Sequence, residues 1–161
     1  MSKQKITNQI EMRYLNLEDS KLEYRSEGNN KKPYAVGYAA LFNILSRYPG
    51  GYLELIQANA FDDVLKNDVR VLFNRYKNGI LASTKSGTLN LSIDDKGLRY
   101  EFDVPNTTAG RDLLVYLERE DVSLSSVGFE VAEDNWYKST PSRWVRTITK
   151  AERLNFIYVD V

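Results

Sequence analysis

Histidine is absent from all 161 residues, and that gap removes more chemistry than any other. Without imidazole there is no general base poised near neutral pH and no histidine-ligated metal. Cysteine is absent too, so disulfides, thiolate nucleophiles and cysteine–metal sites are excluded. Tryptophan is scarce, at two residues. Charge of one sign is lacking as well: 22 Lys+Arg balance 22 Asp+Glu. No overall field therefore draws the chain to nucleic acid or to an anionic membrane. No apolar run approaches the roughly 20 residues that span a bilayer. The opening Met1-Ser2-Lys3-Gln4-Lys5 leads into polar residues and not into an apolar signal core. A cytoplasmic protein without metal or cofactor is the expectation, and any catalysis must be built from Ser, Lys, Asp, Glu, Tyr or Arg.

What is present suits one β-rich domain. Hydrophobic residues make up 42% and aromatics 12%, with 11 tyrosines, enough for a core under a half-buried sheet surface. Alternation or β-rich composition predicts strands over 10–15, 34–42, 52–56, 69–73, 79–83, 88–93, 98–104, 122–131, 144–148 and 154–161. A polar loop covers 26–32, Pro49-Gly50-Gly51 is a breaker, and Asp94-Asp95-Lys96-Gly97 is a hairpin turn. Two helices are expected. A short one over 59–66 is capped by Asn59, with Phe61, Val64 and Leu65 on one face. A longer one over 109–119 is capped by Asn106 or a threonine, with Leu113, Leu114 and Leu117 as its apolar stripe. The pattern predicts a mainly β (α+β) fold: a closed or nearly closed, mostly antiparallel β-barrel with a few outer helices. Residues 1–32 read as an N-terminal strand and polar loop, and 33–161 as the barrel.

Several segments, in order, resemble the prohead protease family of tailed phages. They are Gly37-Tyr38-Ala39-Ala40-Leu41-Phe42-Asn43; Gly51-Tyr52-Leu53-Glu54-Leu55-Ile56 with Ala60-Phe61; Val71-Leu72-Phe73-Asn74 with the later Ser83-Thr84-Lys85-Ser86-Gly87-Thr88-Leu89; Gly97-Leu98-Arg99-Tyr100 with Gly110-Arg111-Asp112; and Asp121-Val122-Ser123-Leu124-Ser125-Ser126-Val127-Gly128-Phe129. The resemblance implies a barrel related to the herpesvirus assemblin proteases. It implies a serine endopeptidase that cuts scaffold and capsid-protein extensions inside assembling procapsids in the host cytoplasm. Its partners would be phage capsid protein and scaffold segments, and a homo-oligomer is compatible with it. It places the nucleophile at Ser126, in Ser126-Val127-Gly128-Phe129, and the base at Arg75, where the family has the histidine of an Asn-His pair. The third polar member falls near Leu154-Asn155-Phe156-Ile157-Tyr158, where none of the five is acidic; Asp160 is the nearest carboxylate downstream. The family continues into a Pro-Ala-Tyr-like segment, so a shortened C-terminus is expected at Val161.

The chemistry of these residues limits the enzyme reading. A serine hydroxyl is a weak nucleophile until a neighbour takes its proton. Arginine cannot do so, because its pKa exceeds about 12 and it offers no acceptor. Arg75 could donate to the hydroxyl or to an oxyanion, but neither act deprotonates Ser126. Lys85 could serve as a base only if desolvated, and its setting reads as an exposed turn. The simpler readings are a strand serine and a loop arginine. Gly50-Gly51 lacks a phosphate-loop lysine pattern. Asp62-Asp63 and Asp94-Asp95 are explained by a helix start and a turn. Trp136, Tyr137 and Trp144 form a candidate peptide shelf, though cross-strand packing explains them. Three functions stay open: a maturation endopeptidase impaired or rewired at its base, an inactive relative acting as a capsid-assembly or scaffold-binding module, and a β-barrel interaction domain unrelated to phages. The last leaves the ordered string of segments unexplained.

Overall fold

A computed structural model describes residues 9–16, 22–27, 32–47, 50–122 and 124–161. Its elements are β1 (Glu11–Asn16), β2 (Glu23–Glu27), β3 (Lys32–Leu41), β4 (Ser46–Arg47), β5 (Leu53–Ile56), β6 (Arg70–Phe73), β7 (Ile80–Ser83), β8 (Leu89–Ile93), β9 (Gly97–Asp103), α1 (Thr108–Glu118), β10 (Leu124–Thr140) and β11 (Arg143–Asp160). Part of the expected 26–32 loop, residues 28–31, and Pro49 of the expected breaker lie outside the described residues. The molecule is mostly β, with one helix among the described residues.

The strands form two sheets. The larger runs β1-β10-β11-β5-β4, with β6 joined to both β11 and β7; the smaller runs β2-β3-β9-β8. Both contribute to one continuous core, with Ala35 and Phe102 from the smaller sheet and Val127, Phe129 and Ile157 from the larger. Neither sheet closes on itself through backbone hydrogen bonds among the described residues, so the expected closed barrel is not drawn by the pairing. The pairings are mostly antiparallel, as expected, with two exceptions in the larger sheet. β11 receives β5 in parallel along 145–148 and β6 in parallel along 156–159. β5 and β6 follow one another along the edge of β11 opposite β10.

The expected helix over 59–66 is instead a run of turns. Ala60, Asp62, Val64 and Asn67 each donate to the carbonyl three residues back. Apolar anchoring survives, with Phe61 and Val64 buried. The segment also accepts two bonds from β11: Ala151 N donates to Ala60 O at 2.8 Å, and Leu154 N donates to Asn67 Oδ1 at 2.9 Å. Strand contacts that a regular helix would forgo decide the conformation. α1 matches its sequence signals. Thr107 is the cap, its Oγ1 accepting from Gly110 N at 3.1 Å, and Leu113 is fully buried beside the partly buried Leu114 and Leu117.

The two flanks of the large sheet are bridged by charge. Arg13 on β1 bonds both carboxylate oxygens of Glu54 on β5, and Arg146 on β11 bonds Glu11, Glu54 and the Asp134 carboxylate. β1 and β5 stand three strand spacings apart, about 14 Å on a flat sheet. Long side chains on a curled sheet cover that span where backbone bonds do not. Burial alone would push the Glu11 carboxyl up, but hydrogen bonds from Arg146 and Arg13, with their charges, outweigh it and hold the group below its ordinary 4.5. A depressed folded-state pKa means stability that is fully present above the unfolded value and lost as pH falls through the folded one. Thermal stability should therefore fall as pH drops below the ordinary 4.5, and Glu11→Gln should remove part of that acid dependence. An unchanged acid limb in Glu11→Gln would refute this assignment.

Candidate functional site

Ser126 lies near the start of β10, between two tyrosines. Its register partners are Tyr14 on β1 and Tyr158 on β11. Residues directly opposite each other in antiparallel strands project to the same face, with Cβ atoms about 4.5–5.5 Å apart. Tyr14, Ser126 and Tyr158 therefore form a row across the outer face of the larger sheet. Ser125, one residue back, points the other way, and its Oγ lies 3.2 Å from the buried Tyr100 hydroxyl.

Arg75 caps this row. Its guanidinium carbon is 5.5 Å from the Tyr14 ring centroid and 5.4 Å from that of Tyr158. The turn that carries it is tight. Tyr76 N donates to Phe73 O at 3.1 Å, and Asn74 and Arg75 both have positive φ, 48° and 62°. That is a type I′ turn, in which asparagine is at home and arginine is not. The left-handed conformation costs a non-glycine residue about 1–2 kcal/mol, so other contacts hold Arg75 in place. Asn74 N donates to Val159 O at 3.0 Å, and Val161 N donates to Asn74 Oδ1 at 2.9 Å. Arg75 Nε donates to Asp160 Oδ2 at 3.3 Å. The hydrogen bond to Tyr14, with help from Asp160, raises the guanidinium above its already high range. Arg75 is thus a fixed cation that keeps its proton.

Two buried polar atoms in this region have no hydrogen-bond partner, Ser126 Oγ and Asp160 Oδ1. Ser126 is 0% exposed. No hydrogen bond joins it to Arg75. Beyond it, Phe156 stacks on Tyr158 with centroids 4.4 Å apart and lies across Gly128, where a Cβ would overlap the ring. Gly128→Ala should cost about 1–3 kcal/mol by overpacking. Phe156→Ala should relieve most of that cost, which a thermal double-mutant cycle reads directly; simple additivity would contradict the packing account.

Residues 20–159 match the caudovirus prohead serine protease family. The chain belongs to that family. No curated protein and no solved structure matches it. The family assignment makes a serine-peptidase fold of phage capsid maturation the frame for the row just described. It also sharpens the departures within it: a family of serine proteases, a chain without histidine, and an arginine over the serine strand.

The other sequence candidates fall elsewhere. Lys85 is exposed in the turn at 84–87. Asp94 accepts from Lys96 N and Gly97 N and from the Tyr38 hydroxyl, so it closes the β8–β9 hairpin. Asp63 faces Lys150 at 3.8 Å. Trp136 packs edge-on against Tyr52 and Trp144, with Arg146 over its ring, which is cross-strand packing on the distal hairpin. Among the described residues no cluster of His, Cys, Asp and Glu could hold a metal, and no helix is long and apolar enough to cross a membrane. Sequence reasoning missed Tyr14 and Tyr158, because strand register carries no local signal.

Proposed function

We propose that the chain serves prohead assembly as a protease-family member whose serine is not activated, binding capsid-protein and scaffold segments without cutting them. Ser126 stands in this reading at the nucleophile position and Arg75 at the base position. The observation that carries it is the buried Ser126 hydroxyl, without a hydrogen-bond partner, on a face capped by a cation that cannot accept a proton. A nucleophile needs a base within hydrogen-bond reach and a path to the scissile carbonyl. Ser126 has neither in this arrangement. The neutral overall charge gives no drive toward nucleic acid or membrane, which favours protein partners within the procapsid.

Co-expression with the capsid and scaffold proteins of the same phage tests the reading. The expected result is co-assembly with every partner at its full intact mass. Cleavage that disappears in Ser126→Ala would overturn it and restore an active endopeptidase with an unconventional base.

A further inference from the structure

We propose that the distal end of the larger sheet is a docking surface for an extended protein segment that alternates acidic and apolar residues. The inference rests on the reading that the chain binds procapsid proteins without cutting them, and it names the chemistry of the segment held. Strand register aligns four side chains in one row. Arg47 on β4 pairs with Leu53 on β5, Leu53 with Val145 on β11, and Val145 with Tyr137 on β10. Residues directly opposite each other share a face of the sheet. Arg143, two residues before Val145 on β11, projects to that same face. The neighbouring row of Glu54, Arg146 and Trp136 points the other way, into the ion-pair network.

This face is apolar and of one charge sign. Arg47 and Arg143 are exposed, and neither has an ion-pair partner among the described residues. Tyr137 is 50% exposed, and Ile44 and Leu45, which lead into β4, are 50% and 55% exposed. The next residues on the same face, Leu55, Thr147 and Asn135, include no acid. Two uncompensated guanidiniums beside apolar surface suit carboxylates carried on an extended chain. A second copy of this chain is the poorer occupant, because it would set arginine against arginine. Within the sheet β4 pairs only with β5, so its outer backbone edge is open among the described residues, and an added strand gains main-chain hydrogen bonds there. Tyr137 lies about 35 Å along β10 from Ser126, so a segment held here is tethered away from the serine.

Fluorescence anisotropy on the full chain tests the surface, with a labelled synthetic peptide of alternating glutamate and valine as the probe. The natural chain should bind it, and binding should weaken as salt rises. Arg47→Glu and Arg143→Glu should each lower affinity about fivefold, and the double variant about 25-fold, the scale of exposed ion pairs. Tyr137→Ser should weaken binding at every salt concentration, because that contact is apolar. The peptide with lysine in place of glutamate should bind the double variant and not the natural chain, which also shows that the variant is folded. Absence of binding to the natural chain, or an affinity unmoved by the two charge reversals, would overturn the proposal. Equal or tighter binding of a thymidine oligonucleotide that depends on Arg47 and Arg143 would overturn it too, and assign the face to nucleic acid. Co-expression separates the surface from the reading it rests on. Intact partners that co-purify equally with the natural chain and the double variant overturn the surface and leave the non-cutting reading. Ser126-dependent cleavage overturns that reading, while loss of co-purification in the double variant still supports the surface.

Discussion

Arg75→His is expected to give a slow endopeptidase, with cleavage of scaffold or of itself about 10²-fold above the parent background. A positioned base typically contributes about 10²–10⁴-fold, and the low end is expected here for two reasons. Ser126 is fully buried, so the half-exposed Tyr14 ring must swing away before a peptide can reach it. The imidazole must also occupy a left-handed turn position that costs about 1–2 kcal/mol. Asp160 offsets part of this by fixing the ring's tautomer, and loss of an orienting acid is less damaging than loss of nucleophile or base. Mass spectrometry of co-expressed partners reads the result, and Ser126→Ala in the same background should abolish it. Background cleavage in a folded Arg75→His variant would remove Arg75 from the base position.

Arg146→Met should be the most destabilising single change in the ion-pair network, at about 3–5 kcal/mol, or roughly 10 °C in the unfolding midpoint for a domain of this size. Three carboxylates, Glu11, Glu54 and Asp134, share two guanidiniums, Arg13 and Arg146. Removing an arginine leaves three acids against one cation at the buried Glu54. Removing an acid balances the set at two against two. Glu54→Gln should therefore cost only about 1 kcal/mol, the scale of one hydrogen bond. The reverse order of the two costs would contradict the charge count.

What the sequence revealed depended on how local each signal was. α1 was legible because Thr107, Leu113, Leu114 and Leu117 lie within one helix and need no partner to be read. The turns at 57–67 were not, because their conformation is set by β11, far along the chain. The sequence of β10 and β11 suggests shorter strands, since register shifts between Gly128 and Phe129 and on through Glu133 and Asp134 break the two-residue alternation. The parallel pairings of β5 and β6 leave no period at all. At the site, ordered motifs singled out Ser126 and Arg75, and Asp160 was visible only as the nearest downstream carboxylate. Its place beside Arg75 depends on Asn74 binding the end of β11, and Tyr14 enters only through the register of β1.

Labelling with a fluorophosphonate tests most directly whether Ser126 has an activating base. The natural chain, incubated with excess reagent near neutral pH and weighed intact, is expected to gain no Ser126 adduct over hours. Rapid, stoichiometric labelling that vanishes in Ser126→Ala would show an activated serine and contradict the account.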